Sequence, residues 1–195
     1  MITNCQIQTG ARPAFTLRQQ TSTIMVAMRK PVSGFVLTIA ALALAGCAQA
    51  PTAPPGEPPF YRDLASYDAR VDAAAAREMI SLYRSNHGLG PVAVDPGLEA
   101  AARNQVTAMA RADKLSHEVR GNLAGRLDSA GFTKNAAVEN VSAGYHTLAE
   151  AFSGWRQSRP HNENMLNPRM RRMGIATAYV PDSKYKVYWA LVMTD

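Results

Sequence analysis

Five prolines fall within the dozen residues from Ala48 to Pro59, and they divide the chain before any fold can be considered. Proline fixes its own φ and offers no N–H, so such a stretch favours semi-extended polyproline II, at ~3 Å per residue, over a packed element. Residues 47–60 therefore read as a tether, and folding is confined to residues 61–195. A region of roughly 130 residues can bury one substantial core. It has to do so without covalent help. The two cysteines are Cys5 and Cys47, and loss of Cys5 with the leader would leave no pair for a disulfide.

Upstream of the tether the text changes character twice. Residues 1–27 show no sustained helical or strand period, as expected of an over-extended gene start. Met28-Arg29-Lys30 then gives a positive start, Phe35 to Ala45 is apolar apart from Thr38, and Leu44-Ala45-Gly46-Cys47 closes the run. Residues 28–46 thus have the three regions of an export signal, with an apolar run shorter than the ~20 residues of a membrane span. Leu-Ala-Gly-Cys also resembles a bacterial lipoprotein box, which makes Cys47 the lipidated first residue of the mature chain. The alternative is an ordinary secretory signal that happens to contain a cysteine. The location that follows is export and lipid anchoring to a membrane; because Ala48 and not aspartate follows the cysteine, a Gram-negative host would sort it to the outer membrane. The chain carries 21 Lys and Arg against 15 Asp and Glu, but Arg12, Arg18, Arg29 and Lys30 all precede Cys47, leaving a mature balance of only +2. With no basic stripe and interleaved aromatics, a nucleic-acid partner has no support.

Within the domain, Val71, Ala74, Ala75, Met79, Leu82 and Tyr83 recur at helical spacing from Asp68 onward, with Arg84 off that stripe, and Asn86-His87-Gly88 supplies a stop. Asp95-Pro96 opens a second helix whose buried face is Leu98, Ala101, Ala102, Gln105, Val106 and Met109, ending near Lys114. Gly121 to Ala130 reads as a short third helix with Leu123, Arg126, Leu127 and Ala130 in phase. Ala137 to Gly144 reads as a strand or extended loop, and Thr147 starts a fourth helix. Met173 to Tyr179 and Tyr185 to Met193 read as an antiparallel hairpin about a turn at Pro181-Asp182-Ser183-Lys184. Helices segregated from a late hairpin indicate an α+β fold. Between these parts, Trp155 to Gly174 is rich in asparagine, with a histidine and prolines. It reads as a loop held by side-chain hydrogen bonds to backbone, with Asn140, Ser158, Asn164 and Asn167 as the fixing residues.

Ser116-His117, then Glu139-Asn140, then the run from Trp155 through Ser158, His161, Asn164, Met165, Leu166, Asn167 and Pro168 to Met173-Gly174-Ile175-Ala176 together resemble the bacterial branch of the CAP superfamily, also called SCP-like, over roughly Asp68 to Met193. The resemblance implies an α-β-α sandwich with a small antiparallel sheet between helical layers. It also implies one open cleft lined by His117, Glu139 and His161, sometimes with a bound divalent ion. The pattern departs from many relatives: Ser158 stands where a second acidic residue is usual, Pro160 and Val138 where glycines are. Glu150 and Glu163 are spatial candidates for the missing acid.

Two imidazoles and a carboxylate suit zinc or another first-row divalent ion, with one position left for water. The same side chains could equally hydrogen-bond one another and close the cleft. No G-x-S-x-G elbow accompanies Ser116 or Ser158, which argues against a serine hydrolase. Three functions compete: a membrane-anchored envelope module binding a small molecule, lipid or envelope component; a metal-dependent, protease-like hydrolase; and a purely structural protein. CAP domains are mostly binding or signalling modules, and the reduced site favours the first.

Overall fold

The structure, a computed structural model, describes residues 56–132 and 136–195. The leader, Cys47 and the tether up to residue 55 lie outside the described residues. Packing begins at Phe60, whose carbonyl accepts Ala149 N–H at 2.9 Å and whose ring joins the core.

Helix α1 spans Ala73–Ser85 and starts where Asp72 caps Ala75 N–H at 3.0 Å. Its innermost line is Ala76, Ile80 and Arg84, each four residues apart. The apolar stripe expected from the sequence lies to one side of this line, so that Leu82 is 65% exposed. Treating Arg84 as an outward marker rotated the predicted face. Arg84 is in fact fully buried: Nε donates to Gly90 O (2.9 Å), Nη1 to Met165 O (2.7 Å) and Asn167 O (2.9 Å), and Nη2 to Met170 O (3.0 Å). Burial, and secondarily the charge of Arg171, lower its pKa from the usual guanidinium value.

Strand β1 is the pair Ala93–Val94, followed by α2, Pro96–Ala112. Asp95 caps α2 through Gly97 and Leu98 N–H, and Leu98, Ala101, Ala102, Gln105, Val106 and Met109 are buried as the sequence predicts. The helix ends at Asp113 in the left-handed region, φ 43°. The Asp113 carboxylate accepts the Lys184 N–H and the Tyr188 hydroxyl, which ties the end of α2 to the late hairpin. At the other end, a Cβ on Gly174 would overlap the backbone of Leu98 and Glu99, so only glycine lets α2 lie directly on its strand.

Helix α3 is Leu123–Asp128, strand β2 Ala137–Ala143 and helix α4 Leu148–Gln157, the last opened by a reciprocal Thr147–Glu150 capping box. The stretch predicted as a loop is largely helical: α5 covers Arg159–Met165, immediately after α4. Ser158 breaks the two helices with extended backbone (φ −89°, ψ 114°), and Pro160 sits in the first turn of α5, where its missing N–H costs nothing. Asparagine-rich sequence has little intrinsic helix preference, so contacts with the rest of the fold decide this element. The true loop is shorter, from Leu166 to Arg171, and Arg84 holds it from inside by its carbonyls.

Strands β3 (Arg172–Tyr179) and β4 (Val187–Thr194) form the predicted hairpin. The sheet order is β1-β3-β4-β2, antiparallel throughout except for β1, which runs parallel to β3. This two-residue strand makes the sheet mixed where an antiparallel one was expected, and two residues carry no periodic signal. Strand β4 is buried end to end and alternates: Val187, Trp189, Leu191 and Met193 enter one core with α1, α4 and α5, and Tyr188, Ala190 and Val192 enter the other with α2 and Leu127 of α3. Helices on both faces of a small sheet make an α-β-α sandwich. Strand β2 is left as one of its edges.

Candidate functional site

An edge strand exposes unpaired backbone groups and needs a cover. On β2 that cover comes from α5. Asn164 Nδ2 donates to Glu139 O (3.1 Å) and to Asn140 Oδ1 (2.9 Å), and Asn140 Nδ2 donates to His161 O (3.0 Å). The amide ladder fixes α5 against β2 and thereby the position of His161. Asn167 Oδ1 accepts the Arg169 N–H (3.0 Å) inside the loop that follows. Ser158 departs from its expected role: its side chain makes no capping hydrogen bond, and it is the break in its backbone that sets the two helices apart.

Glu139 alternates with Asn140 along the strand, so its side chain leaves toward the α3 layer. There His117 Nδ1 donates to Glu139 Oε2 at 2.9 Å, since a carboxylate only accepts, and this bond orients the ring and leaves Nε2 for a ligand. Arg126 Nη2 spans both carboxylate oxygens, at 2.9 and 3.0 Å, and also reaches His117 O at 3.2 Å. The Glu139 side chain is 2% exposed, Arg126 10% and His117 27%, so the imidazole is the part of this group that meets solvent. His161 is 4% exposed; burial, and secondarily the charge of nearby His117, lower its pKa to about 4. It is therefore a neutral imidazole at physiological pH.

His117 and Glu139 thus touch, His161 lies near enough for the charge of His117 to act on it, and Arg126 is a further member that the sequence reading does not single out. Arg126 was placed in the apolar phase of α3, and a cation on a buried stripe is itself the signal of a buried anionic partner. Neither candidate for the missing acid joins this group. Glu150 accepts His146 and Thr147 N–H in the capping box, and Glu163 is solvent-exposed and paired with Arg159 at 2.8 Å. Ser116 Oγ accepts the N–H of Glu118 (3.1 Å) in its own turn, away from a nucleophile's role.

These contacts bear on a metal. Among the described residues no group of three His, Cys, Asp or Glu side chains is placed to hold one. Both Glu139 oxygens are already engaged by a guanidinium, and a divalent cation at that carboxylate would have to displace it. Two imidazoles alone are a short donor set for zinc. The residues as arranged do not fit a resident divalent ion.

Arg126 is unusual in a second respect. Its Nε and Nη1 are buried without any hydrogen-bond partner, and unsatisfied buried donors cost about 1–3 kcal/mol each.

The family model described as "CAP: Cysteine-rich secretory protein family" matches residues 77–193, more than half of the chain. The uncharacterized protein YkwD of Bacillus subtilis (strain 168) is 28% identical over 100 residues, which is 50% of this chain and 39% of that one. The chain therefore spans well under half the length of this relative. Two solved structures share the fold. An extracellular protein containing a SCP domain from Bacillus anthracis str. Ames superposes with TM-score 0.54 at 24% identity, over 62% of this chain and 39% of that one. An outer surface protein of Borrelia burgdorferi superposes with TM-score 0.58 at 17% identity, over 65% of this chain and 97% of that one. The matched region runs from within α1 into β4 and contains His117, Arg126, Glu139 and His161: this chain belongs to the CAP, or cysteine-rich secretory protein, family.

Proposed function

We propose that this protein is an exported recognition module, held at a membrane by a lipid on Cys47, whose cleft binds a small molecule, lipid or envelope component without a resident metal. The observation that carries the reading is the charge balance of the cleft. Glu139 is held by Arg126 and His117, so it orients the imidazole and has no free oxygen for a metal, while the imidazole of His117 meets solvent. A group of this kind recognises a polar group on a ligand. It lacks a positioned nucleophile. Support for the location comes from the Leu44-Ala45-Gly46-Cys47 signature and from relatives whose descriptions call them extracellular or outer surface proteins. No helix among the described residues is long and apolar enough to cross a membrane. Ala48 would direct it to the outer membrane in a Gram-negative host.

The second reading is a metal-dependent hydrolase of the envelope, which the two imidazoles of one cleft favour and Arg126 disfavours. A panel of peptidoglycan fragments, phospholipid vesicles, and peptide and ester substrates, each with and without zinc, separates the two. Binding that weakens at least about tenfold in His117→Ala, without turnover, is the expected result. Zinc-dependent turnover lost in the same variant would overturn it. For the anchor, intact-mass measurement of membrane-extracted protein is expected to give a chain that begins at Cys47 and carries lipid mass; a chain without that mass refutes it.

A further inference from the structure

Beside the cleft, between α2 and α3, lies a pocket of about 540 Å³. Asn104, Arg120, Asn122, Arg126 and Ser129 supply its polar lining, Ala101 and Ala130 part of its apolar lining, and no acid borders it. Arg126 belongs to both sites. Its Nη2 grips Glu139 in the cleft, while Nε and Nη1 have no hydrogen-bond partner, and the side chain is nine-tenths buried. A buried guanidinium with donors left over beside a pocket that contains a second guanidinium is a place prepared for an anion.

The charge of that anion follows from the same contacts. Two arginines face the pocket, but one of them already balances Glu139, so an excess of about one positive charge remains. A phosphate dianion would bring its second charge against Glu139. We propose that this pocket binds a small organic monocarboxylate. The carboxylate lies between Arg120 and the unspent nitrogens of Arg126, and the hydrocarbon part lies against Ala101 and Ala130. On binding, the Arg126 side chain turns toward the pocket while Nη2 keeps Glu139. This site shares Arg126 with the His117–Glu139 group and adds Arg120, which takes no part in the hydrogen bonds of that group, so loss of Arg120 tests the pocket separately from what that group recognises.

The test uses benzoate as probe on the full chain, followed by saturation-transfer NMR and calorimetry, with benzamide as the neutral isostere and inorganic phosphate as the competing anion. Benzoate is expected to bind, with benzamide and phosphate each at least about tenfold weaker. Arg120→Gln, an exposed substitution that leaves the core alone, is expected to weaken benzoate at least about tenfold, and Arg126→Lys to weaken it with the fold retained by circular dichroism. Absence of benzoate binding overturns the proposal. So does benzoate binding unchanged in Arg120→Gln, or phosphate binding as tightly as benzoate.

Discussion

Arg84 is fully buried and Arg126 has a side chain only 10% exposed, and the two are covered differently. Arg84 gives its donors to four backbone carbonyls, three from the end of α5 to just before β3 and one, Gly90, between α1 and β1. Arg126, in the α3 layer, gives one nitrogen to a carboxylate and leaves two without partners. The first is a strut, with every contact to backbone that it holds in place. The second sits between two polar sites with hydrogen-bonding capacity to spare. A buried cation whose donors are spent on carbonyls belongs to the fold, and one that faces a carboxylate with donors unspent belongs to function.

The sharpest way to break this comparison is to remove each guanidinium. Arg84→Leu is expected to lose about 3–5 kcal/mol of stability in denaturant unfolding, because four carbonyls, those of Met165 and Met170 buried, lose their partner at once. Arg126→Leu is expected to lose less, about 1–2 kcal/mol, since the cost of uncovering Glu139 is offset by removing two unsatisfied donors. Pairing it with Glu139→Gln should recover most of that loss, and an additive double variant would show that the two side chains do not act as a unit. If Arg126→Leu destabilised as much as Arg84→Leu, the distinction between strut and site residue would fail.

A further prediction sharpens the α5 side. The native pKa of His161, about 4, lies below the ordinary 6.5. The unfolded chain then binds the proton more readily, so this histidine's contribution is complete above about pH 6.5 and is lost as pH falls toward 4. Unfolding free energies across that window should fall less steeply in His161→Asn than in wild type; equal slopes would mean that His161 is not buried as described. The smallest effect is expected from Arg159→Ala, which breaks an ion pair in full solvent and should leave the unfolding midpoint within error.

Most of the scaffold was legible because it obeys local rules. The helix starts at Asp95 and Thr147, the small apolar run of β3, the Tyr-, Val- and Trp-rich run of β4, and the buried face of α2 are all written in neighbouring residues. What escaped was decided by distant contacts. Helix α5 exists because asparagines must cover the edge of β2, a requirement invisible within Trp155 to Gly174. The face of α1 was misjudged because Arg84 finds its carbonyls some 80 positions away in sequence. In the site, motif resemblance brought His117, Glu139 and His161 to one place, but it carried no word of Arg126, whose meaning depends on a carboxylate on another element. The missing acid at Ser158 is not replaced by another acid; the cleft gains a cation instead.

The claim on which the functional reading rests is that Arg126, and not a metal ion, holds Glu139. Calorimetric titration of zinc into the metal-stripped full chain, in wild type, Arg126→Leu and the double variant Arg126→Leu/His161→Ala, tests it most directly. The account predicts no tight His161-dependent site in wild type, at least about tenfold tighter zinc binding in Arg126→Leu, and loss of that gain in the double variant. A wild-type chain that takes up one tight equivalent of zinc, and loses it in His161→Ala, would contradict the account.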